Sequence, residues 1–139
     1  MVRINLVNPE NLSDQHLIAE YDEILMLVAY IKKYPKLEDI SENYCLGKGH
    51  MKFFKDKLIY LKKRHEKLKK EMKKRSFKIN KTINLAVYKK QNKSDWSPKL
   101  KDFEIIRERI IGKLKLKPKY YRYYGDYKPM NFFIKLIKK

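Results

Sequence analysis

Between Ser13 and Pro35 the apolar residues Leu17, Tyr21, Ile24, Leu25, Val28 and Ile31 recur three or four positions apart, with no glycine or proline interrupting them. That interval lines one face of a helix and excludes the alternation of a half-buried strand. Ser13 is suited to cap the helix and Asp14 to sit in its first turn, while Pro35 forces its end. Asn8-Pro9 and Asn11 read as a turn just before it. The same period returns in Phe54, Leu58, Leu61, Leu68 and Met72, and again in Phe103, Ile106, Ile110 and Leu114, the last set stopping before Pro118. With 4 glycines and 5 prolines in 139 residues, the chain lacks the punctuation of a many-stranded protein. The expected fold is all-α: a compact three-helix single domain over residues 1–139, with helices at about 13–34, 49–75 and 99–116. An extended N-terminal segment precedes them, an aromatic and basic tail follows, and the polar stretch 76–98 is irregular.

Charge narrows the partners. Lysine and arginine number 35 against 16 acidic residues, a formal net charge of +19, which points to a polyanion, with nucleic acid ahead of an anionic membrane surface. Because 43% of the residues are hydrophobic, this is no disordered basic tail. The distribution is uneven. Residues 1–30 hold one base, Arg3, against Glu10, Asp14, Glu20, Asp22 and Glu23, while residues 48–75 hold thirteen bases and three acids. An acidic element inside so basic a chain suits an enzyme acting on DNA, where a carboxylate must sit close to phosphate. The lone Cys45 excludes an internal disulfide and suggests a reducing compartment. No apolar run reaches membrane-spanning length and no signal-peptide pattern opens the chain, so an intracellular, soluble protein is expected.

His16, His50 and His65 have no metal-ligand spacing with Cys45 or one another, so no metal is expected. Gly47-Lys48-Gly49 lacks the ending of a phosphate loop and reads as an entry to the second helix. His16, Glu20 and Glu23 share one helical face. Such a face is ordinarily solvated, but clustered carboxylates raise one another's pKa, which suits acid–base work. Lys117-Pro118-Lys119-Tyr120-Tyr121-Arg122-Tyr123-Tyr124-Gly125 interleaves bases with rings that stack on nucleobases or sugars. Its ordinary alternative is that two or three of the tyrosines complete a small core, and both readings can hold together.

Three blocks then bear a resemblance, in order, to one family. Val2-Arg3-Ile4-Asn5-Leu6 with Asp14-Gln15-His16-Leu17, Ala19-Glu20-Tyr21 and Glu23 is similar to the N-terminus of the phage-type endonuclease V family, the pyrimidine-dimer DNA glycosylases with lyase activity at abasic sites. Leu46-Gly47-Lys48-Gly49-His50, Phe53-Phe54, Asp56-Lys57-Leu58 and Lys63-Arg64 resemble its second helix entry. Arg109 and Lys113, then Lys117-Pro118 and Tyr121-Arg122-Tyr123-Tyr124-Gly125, look like its third helix and tail.

The resemblance implies a terminal α-amine as nucleophile, here that of Val2 after removal of Met1. An α-amine titrates near ~7.7–8.0, so part of it is neutral at neutral pH. It also implies that Glu23 is the catalytic carboxylate and that no cofactor is used. Arg3, Gln15 and His16 would line the site, and Arg109, Lys113, Tyr121, Arg122, Tyr123 and Gly125 would grip the DNA backbone. The expected partner is double-stranded DNA with ultraviolet or abasic lesions, bound by a monomer. The chain departs from the family pattern at Asp22 and Met26, where arginines are usual, at Val2, where threonine is usual, and at Tyr120, where tryptophan is. The lesion preference is therefore open to change. Two rival expectations are a non-catalytic basic helical DNA- or RNA-binding protein and a peripheral membrane protein using its basic helix.

Overall fold

The computed structural model describes residues 3–38, 40–47 and 49–139. After the N-terminal segment and a 3-10 turn at Pro9–Asn11 come α1 (Asp14–Lys33), α2 (Gly49–Phe53), a second 3-10 turn at Phe54–Asp56, and α3 (Leu58–Lys74). Two further 3-10 turns punctuate the irregular stretch before α4 (Leu100–Leu116), and a hairpin of β1 (Arg122–Tyr123) and β2 (Asp126–Tyr127) leads into α5 (Met130–Ile137). No described helix is long and apolar enough to cross a membrane.

Local rules explain the main boundaries. Ser13 Oγ accepts the His16 N–H and caps α1. Asn8 Oδ1 does the same for Glu10 in the preceding turn. The expected second helix is corrected: it is two helices, because the chain tightens into 3-10 geometry at Phe54–Asp56 and restarts at Leu58. The break lets Phe53 and Phe54 both point inward, packed edge-on at 5.1 Å. The tail is corrected too, since it ends in the helix α5. Phe133 and Ile137, one turn apart, bury its apolar face against α4.

One core joins these elements. α1 and α3 pack along Leu17, Ile24, Leu27 and Ile31 on one side and Leu58, Leu61 and Leu68 on the other, all sealed from solvent. Two buried charge systems bridge them. Arg64 donates through Nε and Nη2 to both oxygens of Glu20, at 2.7 and 2.9 Å, and through Nη1 to the Leu6 and Val7 carbonyls. Arg75 holds Glu71 at 2.8 Å and Asp14 at 3.0 Å, and donates to the Leu12 carbonyl. With both charges out of water, such pairs hold only when every polar atom is met, and here the guanidinium edges are spent on carbonyls of the N-terminal segment. That segment is therefore pinned to α3 although Leu6 sits in left-handed backbone at φ 59°.

Candidate active site

The N-terminal segment is the first wall of the site, and it is clamped at Ile4. The Ile4 N–H donates to His50 Nε2 at 2.9 Å, and the Tyr44 hydroxyl donates to the Ile4 carbonyl at 2.9 Å. His50 accepts at Nε2 because its other nitrogen, Nδ1, donates to the Cys45 carbonyl at 2.9 Å, which fixes the tautomer. Burial pushes His50 down to about 4, so the ring stays neutral and able to accept at neutral pH. Gly49, opening α2, lets this loop close: a Cβ there would meet Cys45 Sγ at 2.8 Å. Sequence reasoning gave His50 and Tyr44 no role. The only available signal was the Leu46-Gly47-Lys48-Gly49-His50 block, whose Lys48 lies outside the described residues.

One residue before the clamp, Arg3 hydrogen-bonds Glu23 through its backbone. A cavity of about 180 Å³ opens there, lined by Arg3, Asn5, His16, Ala19, Glu23, Arg109 and Lys113. The segment, α1 and α4 each contribute a wall. Five of the eleven residues singled out from the sequence thus meet in one place. Val2, the expected nucleophile, lies outside the described residues.

The electrostatics of the cavity are asymmetric. Glu23 is half-buried, and burial raises its pKa, with Glu20 adding to the rise and Arg109 opposing it. A carboxyl raised this way exchanges protons closer to neutrality than an exposed one. Arg3 and Arg109 repel each other across the site, so this side of the cavity carries a positive potential. His16 is pushed down to about 4 by burial and by Arg109 and Lys113. It is therefore a neutral hydrogen-bonding ring rather than a cation, with Nδ1 3.0 Å from Ser13 Oγ and its face stacked on Tyr121 at 4.8 Å.

The remaining expected residues stand around this cavity, not in it. Gln15 staples the tail to α1: its Nε2 donates to the Tyr120 carbonyl at 2.9 Å and its Oε1 accepts the Arg122 N–H at 3.0 Å. Tyr121 is buried beneath His16. Tyr123 donates to the Glu10 carbonyl and lies under the Arg75 guanidinium, and the Tyr124 hydroxyl donates to Glu71. Tyr124 and Gly125, with φ of 52° and 85°, form the two-residue loop of the β1–β2 hairpin. Asp14 accepts the N–H groups of both. Gly125 thus serves the turn. Arg122, Tyr120 and Tyr127 remain exposed, with Arg122 over the Tyr127 ring.

The helical face shared by His16, Glu20 and Glu23 is not solvated. Glu20 is sealed against Arg64, whereas Glu23 faces the cavity. Asp22 and Met26 lie exposed on α1. His65 is buried and stacked on Tyr21 at 4.7 Å, as a core ring. Among the described residues no group of three or more His, Cys, Asp or Glu is arranged to hold a metal ion.

The model of the family described as pyrimidine dimer DNA glycosylase matches residues 1–85. That stretch contains Arg3, Gln15, His16, Glu23 and the His50 clamp, while Arg109, Lys113 and the hairpin lie beyond it.

Proposed function

Because the chain belongs to the pyrimidine dimer DNA glycosylase family, we propose that it is a DNA-repair glycosylase that also cuts the strand as an abasic-site lyase. In this reading the 139 residues act as one glycosylase domain, binding double-stranded DNA that carries ultraviolet or abasic lesions. The neutral amine of Val2, freed by removal of Met1, gives its electron pair to the sugar C1′. The bond from C1′ to the damaged base breaks, and its electrons leave with the base. Ring opening then yields a Schiff base between the terminal nitrogen and C1′. Loss of a proton from C2′ expels the 3′ phosphate by β-elimination, and the strand is cut on the 3′ side of the lesion.

What carries this reading is Glu23: a half-buried carboxyl of raised pKa, hydrogen-bonded by the Arg3 backbone, in a cavity that also holds the cations Arg3, Arg109 and Lys113. It assists Schiff-base formation and the proton transfers of elimination. Arg3, Arg109 and Lys113 neutralise phosphate at the lesion, while His16, held neutral, hydrogen-bonds the sugar or phosphate. Arg122 and the exposed Tyr120 extend the contact along the backbone. Asp22 and Met26 supply no cation where the family pattern has arginines, which weakens the grip around a cyclobutane dimer and broadens the lesion range. Extruding a nucleotide costs a few kcal/mol and least at a distorted lesion, which gives selectivity without direct base readout.

Borohydride trapping on abasic duplex DNA tests the proposal. The protein starting at Val2 is expected to form a covalent adduct that disappears when its terminal amine is acetylated. If DNA is bound but neither trapped nor cut, the chain is a non-catalytic binder. An adduct that survives acetylation assigns the nucleophile to a lysine.

A further inference from the structure

The cavity around Glu23 leaves most of the positive charge of α3 unused. The bases of this helix divide by fate. Arg64 is consumed by its buried pair, Lys63 pairs with Asp95, and Lys62 and Lys69 tie down the Thr82–Ile83 stretch by donating to the Ile83 carbonyl and the Thr82 hydroxyl. Lys67, Lys70, Lys73 and Lys74 are exposed, and among the described residues no carboxylate pairs with them. Lys67, Lys70 and Lys74, at i, i+3 and i+7, form one stripe of the helix.

That stripe borders a groove. Two adjoining cavities, of about 370 and 280 Å³, share Leu6, Arg64, Lys67 and Phe103, with Lys70 and Lys74 along the larger one. None of the residues lining the groove lines the Glu23 cavity. The N-terminal segment divides them, with Arg3 and Asn5 on the cavity side and Leu6 and Asn8 on the groove side. α4 does likewise: Phe103 and Arg109, six residues apart, point about 120° away from each other around the helix axis. A straight duplex seated over Glu23 therefore does not also run along the stripe.

We propose that the Lys67–Lys70–Lys74 groove is a second DNA site, which takes the phosphate backbone of another duplex segment while the first occupies the Glu23 cavity. The three cations span about 10.5 Å of helix, close to three phosphate-to-phosphate steps of about 3.4 Å each along one strand. Of the two carboxylates bordering this part of the groove, Glu71 is committed to Arg75 and the Tyr124 hydroxyl, and Glu10, at the rim, forms no ion pair with the stripe. Two separated sites let the protein pass from one duplex to another without first going free, because the new segment binds before the old one is released. The choice of DNA as the polyanion rests on the glycosylase reading.

The test measures dissociation from a short labelled duplex holding a reduced, uncleavable abasic analogue, as unlabelled undamaged duplex is added. For the unaltered protein the rate is expected to climb with competitor concentration. For the Lys67→Gln, Lys70→Gln, Lys74→Gln triple variant it is expected to stay flat, and the Lys→Arg triple variant is expected to restore the climb. With the analogue duplex already bound, the unaltered protein is expected to take up a second, undamaged duplex with a slope of log K against log salt of about −2.7, the equivalent of three phosphates, and the Gln variant is expected to lose that second binding. A competitor dependence that is absent from the unaltered protein, or that survives the Gln substitutions, overturns the proposal. Trapping on abasic duplex, run alongside, reports the chemistry separately. Its failure overturns the lyase reading, and the transfer measurement still judges the groove.

Discussion

Glu20 and Glu23 stand three residues apart on α1 and are chemically identical, yet they are held in opposite ways. Glu20 is fully sealed, and both of its oxygens accept from Arg64. Its partner is fixed at two points, so it serves as a strut between α1, α3 and the N-terminal segment. Glu23 is half-buried beside a cavity, receives a backbone hydrogen bond, and faces Arg109 with no bidentate partner. Burial without a committed counter-charge raises its pKa and leaves it able to exchange a proton. What separates a structural carboxylate from a chemical one here is the partner. The lysines of α3 repeat the lesson, since those with a partner serve the fold and those without one are available to a ligand.

The strongest way to break this contrast is to exchange the two glutamates' consequences by mutation. Glu23→Gln is expected to reduce single-turnover strand cutting by about 10²–10⁴-fold, with DNA affinity and melting temperature little changed. Glu23→Gln protein that still cuts at the normal rate would assign the chemistry to another group. Arg64→Met, by contrast, strands a buried carboxylate and is expected to cost about 3–5 kcal/mol of stability, read by chemical denaturation. The double variant Glu20→Met, Arg64→Met is expected to recover part of that loss, because it removes the stranded charge. A double variant no more stable than the single one would show that Arg64 acts mainly through the Leu6 and Val7 carbonyls.

The smallest effect is a shift in the pH profile. The positive charge of Arg109 favours the ionised form of Glu23 and so holds its pKa below the level that burial alone would set. Arg109→Gln removes that charge, and Glu23 then takes up its proton at a higher pH. If ionised Glu23 is the active form, the acid limb of the cutting rate moves to higher pH in the variant. Unchanged limb position, measured at saturating DNA, would separate Glu23 from the titrating group.

The periodicity of Leu17–Ile31, Leu58–Met72 and Ile106–Leu114 made the three long helices legible, because a stripe repeating every 3.6 residues has one stable use in water. The Ser13 cap and the Pro35 stop were legible for the same local reason. α5 was not: eight residues rich in aromatic and apolar side chains offer too few turns for a period to stand out. The break at Phe54–Asp56 was hidden as well, since the apolar stripe runs on through it. Of the cavity lining, Arg3, His16, Glu23, Arg109 and Lys113 were singled out through ordered motif blocks. Sequence did not reveal that Tyr121 packs beneath His16 or that Tyr123 lies under the Arg75 guanidinium.

Sequence by itself determined the helical class, the basic balance that demands a polyanion, and the order of blocks that marks the family. All three are local or additive properties, fully present in the chain before it folds. Tertiary structure alone decided which of two neighbouring glutamates would be locked to an arginine. It likewise decided which lysines along α3 would be left without a partner, and that His50 would hold the backbone at Ile4. Each of these depends on what arrives from elsewhere in the chain, 44 residues away for Glu20 and Arg64, 46 for Ile4 and His50 and 13 to 32 for the paired lysines, and no spacing along a single helix encodes that.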